Sequence, residues 1–288
     1  MKIRIVPARQ LLEGGGFVVH RPFPVDGLSY VDPFLLVDEM GPAEYGPGEA
    51  IGAPDHPHRG FETVTYMIDG AMQHEDSHGH RGEIRSGDVQ WMTAGAGVVH
   101  SEMPAPDILE RGGKMHGFQI WVNLPRERKM AQPRYQEYAS AQLPEYRQGG
   151  RWVRVIAGEA DGRRSPIETS IPTTMLHVRL DAGSSASFAI APGSNAIVHV
   201  ISGAGTVSND EVSAHEVAIV EDSPAQLELA AGQDGFEFLL LAGLPIGEPV
   251  ARYGPFVMNT VDEVRRAFDD FHAGRFGEIG TSAPGAPS

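Results

Sequence analysis

Residues 55–70 read Asp55-His56-Pro57-His58-Arg59-Gly60-Phe61-Glu62-Thr63-Val64-Thr65-Tyr66-Met67-Ile68-Asp69-Gly70. Two histidines stand at i and i+2, alternation follows over 63–67, and the stretch closes on Asp-Gly, a hairpin signal. Alternate side chains of a strand share a face, so His56 and His58 point the same way. Further on, His100-Ser101-Glu102 repeats the arrangement with one histidine and one carboxylate. Two adjacent strands of this kind can hold one metal with three imidazoles and a carboxylate, a donor set of dioxygen chemistry more than of structural sites.

Working outward, 71–75 reads as the return strand and Gly87-Asp88 as a turn. Val89-Gln90-Trp91-Met92 is a strand, Thr93-Ala94-Gly95-Ala96-Gly97 a glycine loop and 98–102 a strand. The loop would let backbone pass close to the site before His100. Phe118-Gln119-Ile120-Trp121-Val122 alternates cleanly. After an interruption over 125–150, a second strand-rich block follows at 153–157, 175–180, 196–201, 217–220 and 236–241. Its order faintly repeats the first, with Pro192-Gly193-Ser194-Asn195 where the paired histidines would stand. The pattern predicts an all-β chain of two small β-barrels, one metal-bearing and one blank. The expected boundaries are 1–130 for the metal-binding barrel, 131–245 for the second, and 246–288 for a short helix and tail. The helix has apolar positions at helical spacing over 261–268 and Thr260 as N-cap; 280–288 is expected to be disordered.

Composition supports this reading. The 288 residues include 35 Gly and 22 Pro, a surplus that suits many turns between short strands. A formal charge of −15 argues against a nucleic-acid-binding surface. With no Cys, disulfides, thiolate sites and a Cys nucleophile are excluded. No stretch reaches the ~18 apolar residues of a membrane span, and the start lacks a signal-peptide core, so the expectation is a cytoplasmic protein without membrane contact.

The order of these motifs resembles the cupin superfamily, through Gly52, His56, His58, Glu62 and Gly70, then Gly87, Thr93, Gly95 and His100, at spacings that depart from the general pattern. More specifically, 55–66, 87–95, Val99-His100-Ser101-Glu102, Gln119-Ile120-Trp121-Val122-Asn123-Leu124-Pro125 and Tyr253-Gly254-Pro255-Phe256-Val257-Met258-Asn259-Thr260 are similar to the pirin family over nearly the whole chain. The resemblance implies a bicupin of two jelly-roll-type barrels with one metal in the first, held by His56, His58, His100 and Glu102. It implies Fe(II), though Mn, Ni, Co, Cu or Zn also suit such donors. Many other cupins take the carboxylate at the Glu62 position instead; here the pirin pattern leaves Glu62 beside the ligands.

The resemblance also implies flavonol (quercetin) 2,3-dioxygenase activity for several members and transcriptional co-regulation for animal ones. The expected function is therefore oxidative cleavage of a flavonol-like ring, with a small aromatic substrate and O2 as partners. Glu102 serves as base as well as ligand. Phe61, Met67, Trp91, Met92 and Phe118 supply an apolar wall. Arg59 either orients an anionic substrate or pairs with a carboxylate such as Glu62. The alternative is an iron-bearing regulatory protein that docks a protein partner without turnover; a third option is an oxygenase or isomerase acting on another substrate. Among the remaining histidines, His74, His78 and His80 read as a solvated polar loop, the alternative being a lid that contributes a substrate contact, and His199 as a core residue. His116 is either structural or near the site.

Overall fold

The computed structural model describes residues 1–280. Of the tail expected to be disordered, 281–288 lie outside the described residues. Regular structure is mostly strand, as the sequence predicts, with one longer helix, Val261–His272, near the end. No described helix is long and apolar enough to cross a membrane.

The chain divides into two compact units that do not follow consecutive boundaries. Among the described residues, the N-terminal unit comprises 11–19, 39–137 and 248–280; the C-terminal unit comprises 1–10, 20–38 and 138–247. The first strand, Lys2–Pro7, pairs antiparallel with Glu216–Glu221. An open sheet edge offers unpaired backbone groups to any strand that reaches it, and nothing in the apolar pattern of 2–7 says which edge that is.

In the N-terminal unit a four-stranded sheet runs in the order Ala53–His58, Val98–Pro104, Ala71–Asp76, Arg81–Arg85. It faces strands Arg134–Tyr138, Val89–Thr93, Phe61–Asp69 and Gly113–Asn123, which belong to a seven-stranded sheet. Both sheets are open, so the unit is a jelly-roll sandwich and not a closed barrel. The turn at Gly60 separates the two sheets, and its φ of +90° favours glycine. A Cβ there would overlap the Val257 carbonyl oxygen.

The C-terminal unit is built on one nine-stranded sheet. Its longest strand, Gln226–Gly243, pairs with Ser185–Ala189 in its first part and Thr173–Leu180 in its second. Register shifts at Val200/Ser202 and Gly203/Gly205 in Asn195–Val207 let the sheet bend. Val153, Val178, Val198, Val200, Phe238 and Leu240 fill the enclosed face, each contributing about 1.5–3 kcal/mol on full burial.

The helix starts where the sequence places it. Thr260 Oγ1 accepts from the Glu263 N–H at 3.2 Å, and Glu263 Oε2 accepts from the Thr260 N–H at 2.8 Å, a capping box. Val264 and Ala267 pack with Phe256, Met258 and Phe276.

Candidate metal centre

His56 and His58 lie on Ala53–His58, and His100 on the neighbouring strand Val98–Pro104. The register sets His100 opposite His56 and, across the other edge, opposite Asp76. One ring nitrogen from each of His56, His58 and His100 lies within 4.8 Å of the others. His56 Nδ1 is 2.8 Å from the Pro54 carbonyl oxygen, so a proton on Nδ1 leaves Nε2 as the donor atom. His58 and His100 are buried. Burial, and next the proximity of His56, hold both well below the ordinary imidazole range; for His58 the Pro255 carbonyl pulls the other way. Neutral imidazole is the form that binds metal. His58 Nδ1 and both ring nitrogens of His100 are buried without a hydrogen-bond partner. Such groups cost about 1–3 kcal/mol each unless something engages them, and a metal ion fits that need.

Glu102 follows His100 by two residues, although a register irregularity falls between them. Its Oε1 accepts from Thr65 Oγ1 at 2.8 Å and its Oε2 from Gln119 Nε2 at 3.2 Å. Thr65 Oγ1 is also 2.7 Å from Gln119 Oε1. One hydroxyl hydrogen serves both acceptors, and an ionised carboxylate is the stronger of the two. Thr65 and Gln119 face each other across Phe61–Asp69 and Gly113–Asn123, so the facing sheet holds the carboxylate.

That register sorts the predicted wall. Residues paired across strands point to one side. Thr63 pairs with Met92 and Trp121, and Thr65 with Gln90 and Gln119. Thr63, Thr65, Met67, Met92 and Trp121 therefore share the face that looks toward Glu102. Phe61 joins them, stacked on Trp121 with centroids 4.3 Å apart and 5.2 Å from the His58 ring. Trp91 and Phe118 pair with Val64 and Tyr66 and occupy the opposite face. Glu62 is there too, accepting from Thr93 Oγ1 at 2.7 Å. The parity that would carry it inward from His56 and His58 is lost at the Gly60 turn.

Arg59 points away from the triad. Its Nε donates to the Ala96 carbonyl at 2.6 Å, its Nη1 to Asp270 Oδ2 at 2.7 Å, and its guanidinium covers the Phe276 ring at 4.5 Å. The carboxylate it pairs with is Asp270 and not Glu62. The glycine loop likewise makes room for other parts of the chain: a Cβ at Gly95 would meet Ala131, and one at Gly97 the Phe276 ring. Lys129 is buried beside Arg59, its Nζ donating to Gly60 O, Asn123 Oδ1 and Val257 O at 2.7–3.0 Å. Burial brings its pKa down to about 8, partly offset by Glu248 and Glu263.

A polar group beside Glu102 has no equivalent in the sequence reading. His74 belongs to Ala71–Asp76, not to a loop, is buried, and pairs in register with Glu102. Its Nε2 lies 2.5 Å from Glu137 Oε1, which also accepts from Gln90 Nε2 at 2.9 Å. Tyr135 stacks on His74 at 5.3 Å. Burial, with the charges of Asp76 and Glu102, raises its phenol pKa. The alternation of His74 with Asp76 was the available signal. His78 and His80 do sit at the turn, where their N–H groups donate to Asp76 Oδ1 at 2.8 Å. His116 is structural, buried with its Nε2 2.8 Å from Glu39 Oε1.

Residues 16–122 match the family described as pirin, and residues 175–277 match the pirin C-terminal cupin domain. A pirin-like protein of Arabidopsis thaliana is 44% identical over 280 residues, covering 94% of this chain and 88% of the relative. Human pirin is 41% identical over 278 residues, covering 94% of this chain and 92% of the relative. A crystal structure of quercetin 2,3-dioxygenase from Acinetobacter baumannii superposes with a TM-score of 0.90 at 37% identity, covering 96% of this chain and 98% of that one.

Proposed function

The chain belongs to the pirin family, and from that premise we propose that its N-terminal unit is an oxygenase centre. In this reading one divalent metal is held by His56, His58, His100 and Glu102, and a flavonol-like ring is cleaved with O2. The observation that carries it is the convergence of three imidazoles within 4.8 Å, two of them buried and neutral with unpaired ring nitrogens. Similarity to the Acinetobacter quercetin 2,3-dioxygenase supports the substrate class. Fe(II) is the metal we assign, in competition with Mn, Ni, Co, Cu and Zn for the same donors. When bound, it supplies Lewis acidity toward an acidic hydroxyl and redox chemistry toward O2.

The chain's own residues do the rest. Glu102 takes the substrate hydroxyl proton. Its Oε1 is tied to Thr65 at 2.8 Å, whereas the longer 3.2 Å bond from Gln119 leaves Oε2 the more available oxygen. Phe61, Met67 and Met92, all buried, line the aromatic ring and exclude water. His56 and Trp121 are half-exposed, which opens the approach on their side.

The test is anaerobic reconstitution with Fe(II) followed by quercetin under O2, with His56→Ala and Glu102→Ala as controls. Loss of flavonol absorbance that needs iron and disappears in both variants is expected. Tight iron binding without turnover would contradict the reading. It would favour a protein-docking role, for which an apolar groove of about 590 Å³ beside Tyr253, Val261 and Phe268 is the supporting observation; Tyr253 is 71% exposed.

A further inference from the structure

The chain has ten methionines, and four of them, Met40, Met67, Met72 and Met115, line one cavity of the N-terminal unit. Methionine is the usual filler of irregular gaps, yet here a gap stays open. Its room is about 20 Å³. That exceeds the roughly 10–15 Å³ that one water-sized molecule needs and is too little for an aromatic ring. Gly117 helps to keep it open: a Cβ there would crowd the Tyr66 carbonyl oxygen and lie 3.1 Å from Met67 Sδ and 3.4 Å from Met40 Cε. Ile51, also on the lining, is 40% exposed, so the cavity reaches solvent.

Strand register places this cavity. Thr65 and Gln119 hold Glu102 by hydrogen bonds, and His74 stands opposite it in register. Two residues further along the same three strands, on the same faces, stand Met67, Gly117 and Met72. Two residues of strand span about 7 Å, so the cavity adjoins the layer of Glu102. In the other direction the strands lead from Thr65 through Thr63 to Phe61, and from Gln119 to Trp121, the side on which His56 is accessible. Glu102 therefore has an aromatic mouth on one side and a methionine-lined cavity on the other, with Met67 as the partition.

Apolar cavities stay dry and take small apolar molecules. Among the described residues no Asp, Glu, Lys or Arg lines this one. His116 turns its Nε2 to Glu39 Oε1 at 2.8 Å, and burial opposes ionisation of Tyr45. Cleavage of an aromatic ring with O2 needs two reactants at one centre, and a ring seated at the mouth covers that entrance. A methionine side chain turns about three bonds and yields to a small molecule more readily than a branched or aromatic one. We propose that the methionine cavity is a binding site for O2, which reaches the centre from the side away from the aromatic substrate. The use of O2 rests on the oxygenase reading; occupancy of the cavity is measurable without turnover.

The test begins with crystals of the metal-loaded protein under xenon, an apolar stand-in for O2 with an anomalous signal. Wild type should show a xenon peak between Met67, Met72 and Met115. Met115→Phe, which fills the space with a rigid ring, should lose it. In M115F, kcat/KM for O2 should fall by about tenfold, because a ring must move for each O2 to pass. The KM for quercetin should stay within about twofold of wild type. No xenon peak in wild type, or an ordered water in its place, overturns the proposal. So does an unchanged kcat/KM for O2 in M115F that has lost the peak. Should M115F fail to fold, Met72→Val decides: the enlarged cavity should strengthen the xenon peak and leave kcat/KM for O2 at or above wild type, and a fall in either contradicts the proposal. Xenon in the cavity without quercetin turnover would sink the flavonol reading alone. The rate at which O2 oxidises the bound Fe(II) then replaces turnover, with the same fall expected in M115F; equal rates would overturn the O2 site. Quercetin turnover without xenon occupancy would sink the cavity and leave the flavonol reading standing.

Discussion

In the C-terminal unit the buried histidines His177 and His199 alternate with Leu176, Val178, Val198 and Val200, which line the enclosed apolar face. The histidines thus lie on the sheet's other side, where His177 Nε2 is 2.9 Å from Glu237 Oε1 and its ring meets Trp152 edge-on. In the N-terminal unit His58 and His100 occupy the inside, with Glu102, Thr65 and Gln119. A one-residue difference in strand parity therefore separates histidines that stabilise a sheet from histidines that converge on a site. An apolar interior contributes stability directly. A polar one requires a partner for each group, and what marks the N-terminal site is that ring nitrogens of His56, His58 and His100 converge within 4.8 Å of one another.

The largest effect that would test this contrast is loss of an inward histidine. His100→Ala should lower metal affinity by more than the roughly 10–100-fold typical of losing a supporting group. His177→Ala should leave metal content unchanged. Metal analysis of the two purified variants checks both, and equal losses would break the comparison. Next in size is Glu102→Gln, which keeps the shape and removes the base; steady-state turnover should fall by roughly 10²–10⁴-fold. Thr65→Val follows, isosteric but unable to hold Glu102, and should cost about tenfold in metal affinity or turnover. Turnover at the wild-type level would mean that the carboxylate needs no anchor from the facing sheet.

The smallest effects separate the units by pH. Lys129 has a folded pKa of about 8, below its ordinary value of 10.5. Between these values the unfolded chain binds more protons, so the N-terminal unit should gain stability as pH rises from about 8 to 10.5, and Lys129→Met should remove the trend. Burial opposes ionisation of Glu237, but hydrogen bonds from His177 and Arg179 overcome it and hold the carboxyl at about 2. That stability is present above pH 4.5 and lost as pH falls through 2, and Glu237→Gln should flatten the acid limb of the C-terminal unit. Amide hydrogen exchange resolved by unit measures both slopes; a shared slope would contradict the assignment.

Much of this was legible in the strands. Thr63 to Met67 and the Thr260 cap follow from local pattern, and the paired motifs bring His56, His58 and His100 together; the hairpin expected at Asp69-Gly70 is a crossover instead, since Phe61–Asp69 and Ala71–Asp76 belong to different sheets. Where the reading missed, the cause was non-local. Glu62 keeps even parity with His58 only if no turn intervenes, and Gly60 is that turn. Met67 and Met92 fall on the site face, Trp91 and Phe118 on the other, because cross-strand register decides this and hydrophobicity does not. His74 stood among Gln, Glu, Asp and Ser, a composition typical of loops, and only its partner Glu137 explains its burial. The pairing of Lys2–Pro7 with Glu216–Glu221 spans most of the chain and has no local mark.

The most direct test of the central claim is a crystal structure of the iron-loaded protein with anomalous data collected at the iron edge. The account predicts one peak, ligated by His56, His58, His100 and Glu102, with nothing above background in the C-terminal unit. A peak in that unit, or a metal on the three histidines with neither oxygen of Glu102 in its coordination sphere, would contradict it.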